Sequence, residues 1–261
     1  MKTLSKSIKL VISSLSIALF LAGSVVTALS ARASADNCEP FMVEFTNCVE
    51  SIGVGLVPTE QVQSLVPAEF HLVGEGQPVT PIVVRTARCR GIAVDGNRPN
   101  GGSIVQIGVV IVPPDFSGDI NNYTLWYYTS DAKLAYHLER LGVAAQHVST
   151  IDYDYERGSD ALFVAVPRPG NPRLSLDGTV IASTLPAGSF EAIWWARVRG
   201  GSARMDTLVP AIFIGTADLT LTTNAGGALG QLIGGSSASF PVLQQFNTFA
   251  NAQTAVSVTP H

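Results

Sequence analysis

From Val79 onward the chain consists of short runs rich in valine, isoleucine, threonine and aromatic residues, each bounded by glycine, asparagine, aspartate or proline. "VTPIVVRTARCRGIAV", "SIVQIGVVIV", "NYTLWYYT", "ALFVAVP", "RLSLDGTVIAST", "SFEAIWWARVR", "ARMDTLVPAIFI" and "ADLTLTT" all have this form. β-Branched and aromatic side chains fit a pleated surface and the turn formers interrupt it, so the runs predict strands. Many strands with few helices predict a mainly β chain, an α+β protein with a closed or strongly curved antiparallel sheet, because long open edges invite aggregation. A membrane barrel fits poorly. It repeats strands of ~9–11 residues under an outward apolar band, whereas these runs are uneven and broken by helices.

Three helices are predicted. "VPTEQVQSLVPAEF" places Val62, Leu65 and Val66 on one face, with Pro58 suited to the first turn and Pro67 closing the segment. A second helix over 131–142 has Ser130 or Asp131 as N-cap, Leu134, Leu138 and Leu141 at helical spacing, and Gly142 at its end. A third, loosened by glycine, lies near 226–233.

The first 35 residues carry Lys2, Lys6 and Lys9, an apolar stretch from Leu10 to Leu29, and the small residues Ala31, Ala33 and Ala35. That order predicts an export signal cut after Ala33 or Ala35, which leaves no stable membrane anchor and a secreted or periplasmic protein. The alternative is a retained anchor, since the run approaches the ~20 residues that span a bilayer. Residues 36–53 read as an N-terminal segment, 54–250 as a single domain and 251–261 as a C-terminal tail. Charged residues make up 14% of the chain and the formal net charge is −4, so there is no basic stripe for nucleic acid. Nothing in the composition opposes a homo-oligomer. Of three cysteines, Cys38 with Cys48 would close a short loop, the preferred pairing; Cys48 with Cys89, or a buried Cys89 thiol, are the alternatives. No cysteine–histidine cluster has metal-ligand spacing, and no nucleophile elbow, P-loop or dinucleotide fingerprint occurs, so no metal or cofactor is expected.

The order "VPTEQVQSLVPAEF", "SIVQIGVVIV", "INNYTLWYYTSDAKLAYHLERLGVAAQ" and "GTADLTLTTNAGGALGQLI" resembles the acetoacetate decarboxylase-like superfamily over roughly 54–235. The resemblance implies a cone-shaped antiparallel β-barrel around one deep pocket. In the decarboxylases a "YLDN…A…GRE…FPKK" segment supplies a lysine that forms a Schiff base with a β-keto acid, its pKa lowered by a second lysine in an apolar cavity. Such help is needed because an ordinary lysine, with a pKa of ~10.4, is protonated at neutral pH. Here Val143, Ala144, Ala145 and Gln146 fall near the paired lysines, and Gln106 in "QIGVVIVPP" stands where the family pattern has a strand glutamate. Lys133 is the only lysine after Lys9, and its place on the first turn of a helix reads as a solvated surface position.

Without that nucleophile, the candidates are polar and aromatic residues on strands. Alternation in "SFEAIWWARVR" sets Trp194 apart from Glu191, Ile193, Trp195, Arg197 and Arg199, so Trp194 is the candidate pocket wall and the other face the solvent face. Tyr123 and Trp126 lie on opposite faces of their strand, either of which could line a cavity. Arg85 and Arg88 also alternate, and an inward arginine could clamp a carboxylate; the competing role is an outer ion pair. Arg204 could do the same or pair with Asp206 on its own face. His147, just after the vacated loop, could act as a general base, with Glu139, Asp206 and Gln106 as further acid/base or polar candidates. Three functions follow: a carrier of a small, mostly apolar organic acid or carbonyl compound; a lyase, hydratase or cyclase using those acid/base residues; or a decarboxylase with its lysine moved to Lys133.

Overall fold

The computed structural model describes residues 39–156, 158–167 and 169–260. The proposed export signal and Cys38 lie outside the described residues. In chain order the elements are β1 (Phe41–Pro58), α1 (Thr59–Gln63), β2 (Val79–Val94), β3 (Asn100–Val110), β4 (Ile120–Thr129), α2 (Ala132–Leu141), β5 (Ala145–His147) and β6 (Asp152–Glu156). They continue with β7 (Ala161–Val166), β8 (Leu174–Ile181), β9 (Pro186–Val198), β10 (Gly201–Thr223), α3 (Ala228–Ile233), β11 (Ser237–Ser239) and β12 (Leu243–Pro260).

Pairing runs β12–β1–β2–β3–β4–β9–β10, and β10 pairs with β12 as well, so seven strands follow one another in a ring. The narrowest seam is β4–β9, where four residues, Ile120–Tyr123, pair with Ala192–Trp195. That seam is parallel, as is the short β4–β5 pairing after the α2 crossover, so the sheet is mixed rather than wholly antiparallel. β10 changes partners along its length. Its first half pairs with β9 and β12; the ladder shifts register between Val209 and Ile212, at Pro210, which has no N–H to donate; and residues Thr216–Thr223 then pair with β8. At Gly215, where β10 passes from β12 to β8, a Cβ would collide with the carbonyl oxygens of Ile181 and Phe246.

The boundaries expected at 53/54 and 250/251 both fall inside strands: β1 begins at Phe41 and β12 continues to Pro260. β1 also corrects the disulfide. Cys48 and Cys89 stand directly opposite each other in the β1–β2 ladder, with Cα atoms 4.1 Å apart, and are bonded. Neither the expected Cys38–Cys48 loop nor a buried Cys89 thiol is present.

Two cores follow from strand alternation. Val84, Ile107, Tyr128 and Phe246 point out of the ring and share a buried cluster with Leu162 and Val164 of β7, Leu176 of β8 and Leu219 of β10. The inner face supplies Val43, Val83, Trp194 and Met205, closed off by Leu134, Leu138 and Leu141 of α2. This helix matches its sequence signals: the Asp131 carboxylate accepts from Leu134 N–H at 2.8 Å, and Gly142 terminates the helix at φ 93°. α1 is shorter than the spacing predicts. It ends at Gln63, so Leu65 no longer follows helical periodicity and lies 45% exposed while Val62 and Val66 are buried.

Candidate functional site

The inside of the ring holds a cavity of about 260 Å³. Its walls are apolar: Ile52 and Val54 from β1, Val83 from β2, Trp194 from β9, and Val209 and Ile212 from β10. Gly108 makes room for the Trp194 ring, since a Cβ there would lie 2.7 Å from the indole Cζ3. Phe190, Ile214, Leu243 and the exposed Asp119 also border the cavity.

A polar belt crosses this lining. Asn247 faces Glu50 across the β12–β1 ladder, and Arg85 faces Gln106, which faces Tyr127, across β2, β3 and β4. Arg85 Nε donates to Glu50 Oε2 at 2.6 Å, with side-chain exposures of 11% and 5%. The other Glu50 oxygen accepts from Asn247 Nδ2 at 3.2 Å. Burial works against the charge on Arg85, but the Glu50 carboxylate together with the Tyr127 and Tyr153 phenols outweighs it and holds the guanidinium pKa above its ordinary value. Beside the main cavity a recess of about 20 Å³ lies between Arg85, Gln106, Tyr127 and the α2 leucines. There Gln106 Nε2 donates to Thr124 Oγ1 at 3.3 Å, and burial pushes the Tyr127 phenol well above its usual range. Thr207 and Thr254, opposite one another on β10 and β12, share a hydrogen bond of 2.7 Å in the same recess.

Of the candidate residues, Arg85, Gln106 and Trp194 meet inside the ring. The rest lie elsewhere. Arg88 points outward and donates to the carbonyl of Tyr153 at 2.6 Å. Tyr123 packs on Phe70 with ring centroids 5.0 Å apart, and Trp126 is half-buried against the outer core. Arg204 pairs with Asp206 at 3.0 Å and donates to Ser117 at 2.9 Å, on the outer face. His147 and Glu139 are solvent-exposed on β5 and α2. The acid/base set proposed from sequence is therefore not gathered in the cavity. The expected solvent face of β9 is also corrected: Ile193 and Trp195 are buried, Trp195 beside Phe70 with ring centroids 6.2 Å apart and its Nε1 donating to Asn121 at 2.7 Å. Lys133 is exposed on the outward side of α2, its Nζ 3.3 Å from the Val94 carbonyl.

Glu50, Asn247, Thr207 and Thr254 were missed. Glu50 was legible only as a lone carboxylate in the apolar run "CVESIGV", a signal lost when that segment was set apart from the domain. Asn122 and Asn247 line the cavity, are each 1% exposed, and each keep an amide oxygen with no hydrogen-bond donor. A sequon at Asn122–Thr124 is therefore buried in the folded chain.

A ring of strands around one mostly apolar chamber, with a plugging helix between its fourth and fifth strands, defines the class. No protein-family model matches the sequence, and no curated protein matches it. Solved structures do. The enduracididine biosynthesis enzyme MppR complexed with pyruvate aligns at TM-score 0.54 and 12% identity over 84% of this chain and 90% of that one. Acetoacetate decarboxylase from Legionella pneumophila aligns at TM-score 0.54 and 13% identity, covering 85% and 87%. An acetoacetate decarboxylase-like enzyme from Sphingomonas wittichii RW1 aligns at TM-score 0.52 and 9% identity, covering 86% and 94%. The chain has the acetoacetate decarboxylase-like fold.

Proposed function

We propose that this is an exported protein that takes a small, mostly apolar carbonyl compound or organic acid into the ring and holds it without forming an imine. Ligand chambers are commonly apolar with a few placed polar groups, which is the composition of this one. Trp194 offers a flat wall and Arg85 a donor that stays protonated at any working pH.

The observation that carries the reading is the position of the one lysine after Lys9. Imine formation needs a neutral primary amine beside the carbonyl. Lys133 stands on the outward side of α2, and among the described residues no lysine lines the cavity. A guanidinium cannot substitute, because it remains charged and its lone pairs are delocalised.

Native mass spectrometry of the exported protein tests this reading. A species heavier than the chain, which loses a small neutral or acidic molecule on denaturation and returns to the polypeptide mass, is the expected result. A mass increment that survives denaturation contradicts it.

A further inference from the structure

We propose that the cavity selects an uncharged ligand carrying both a carbonyl-type acceptor and an O–H or N–H donor, in preference to a carboxylate of the same size. This inference rests on the reading that the cavity binds a ligand at all and decides between the two ligand classes that reading leaves open.

Charge is the first ground. Arg85 is the cation of the lining, and Glu50 neutralises it at 2.6 Å. A carboxylate brought to Arg85 would lie beside an existing carboxylate, and Asp119 at the cavity border adds a further negative charge. A neutral carbonyl accepts from the guanidinium without adding charge. Among the described residues, Glu50 is the hydrogen-bond partner of Arg85 and uses Nε, which leaves the terminal nitrogens for that acceptor.

The amide oxygens are the second, independent ground. A carboxylate can only accept, so the Glu50–Asn247 bond fixes the Asn247 amide with Nδ2 toward Glu50 and Oδ1 away from it. That oxygen has no donor, and neither has Asn122 Oδ1, and both are fully buried. Buried acceptors without donors are rare and destabilising, so a small rotation that opens either amide to the cavity is favoured by a ligand hydroxyl or N–H and not by a carboxylate. Size is the third. A volume of about 260 Å³ takes roughly nine water-sized groups at ~30 Å³ each, the scale of a single ring with one functional group.

Benzamide and benzoate have equal numbers of non-hydrogen atoms and differ in charge and in donors, and toluene carries neither. Calorimetric titration of the intact protein with all three at pH 7 is the test. Benzamide should bind at least tenfold more tightly than benzoate and more tightly than toluene. As pH falls toward the carboxyl range near ~4, benzoate should gain affinity as it becomes the neutral acid. Glu50→Gln, which frees the charge of Arg85, should raise benzoate affinity relative to benzamide. Benzoate binding as tightly as benzamide to the unmodified protein, or benzamide binding no better than toluene, overturns the selectivity while leaving an apolar chamber in place. Failure of all three to bind overturns the chamber itself, and the selectivity with it. The comparison on unmodified protein stands whether or not Glu50→Gln folds.

Discussion

Replacing Glu50 by leucine removes the carboxylate that Arg85 contacts at 2.6 Å, and both side chains are nearly buried, at 5% and 11% exposure. The guanidinium would then keep its charge in a low-dielectric ring without a counter-ion, and Asn247 Nδ2 would lose its acceptor. Breaking one partner of a buried pair typically costs about 3–5 kcal/mol, because the surviving charge is left uncompensated. For a domain of this size each kcal/mol lowers Tm by roughly 2–4 °C, so the variant should melt about 6–20 °C lower. Replacing both residues, Glu50→Leu with Arg85→Met, removes the stranded charge and should recover most of the loss. Urea unfolding followed by tryptophan fluorescence reads all four corners of the cycle. A single-variant loss under about 1 kcal/mol, or a double variant no more stable than Glu50→Leu alone, would refute a buried, mutually dependent pair.

Four further outcomes are expected. Leu138→Ala removes a side chain 1% exposed between α2 and the inner core, and should lower unfolding free energy by about 2–5 kcal/mol in the same urea assay. Cys48→Ser opens a bridge between residues 41 apart and should cost about 4 kcal/mol, while non-reducing peptide mapping of the parent should yield one Cys48–Cys89 peptide. Glu191 shares a hydrogen bond with the Asp206 carboxyl, which raises its pKa above 4.5. A raised acid contributes stability below its unfolded pKa and loses it as pH rises through the folded one, so Glu191→Gln should flatten the change in urea midpoint from pH 4 upward. Trp194→Ala should weaken binding of any chamber ligand at least tenfold by titration, with the ring still folded by circular dichroism.

What was legible depended on whether local chemistry decided the outcome. Helix α2 was readable because Asp131, the three leucines and Gly142 each act within one or two turns. Trp194 was readable because a strand puts alternate residues on opposite faces. The same alternation misjudged Ile193 and Trp195, because it sees two faces but not that Phe70 and the 117–121 segment, distant in sequence, pack over the second. Parity separated Arg85 from Arg88 without showing which points inward; Glu50 decides that, and it comes from 35 residues away. The Cys48–Cys89 bond was misassigned for the same reason: once residues 36–53 are set apart, β1 has no partner and a local loop looks preferable. His147 followed from proximity in sequence to the vacated lysine loop and Glu139 only from its acid/base chemistry, but β5 and the outer side of α2 carry them into solvent.

The decisive quantity is the mass of Lys133-containing peptides after the folded protein is incubated with acetoacetate and reduced with borohydride. Unmodified peptide at every substrate concentration is expected, because Lys133 is exposed on α2 and is not among the residues lining the cavity. A saturable, reduced ketone adduct on Lys133 would place a reactive amine at a substrate site and contradict a chamber that works through Arg85 and Glu50.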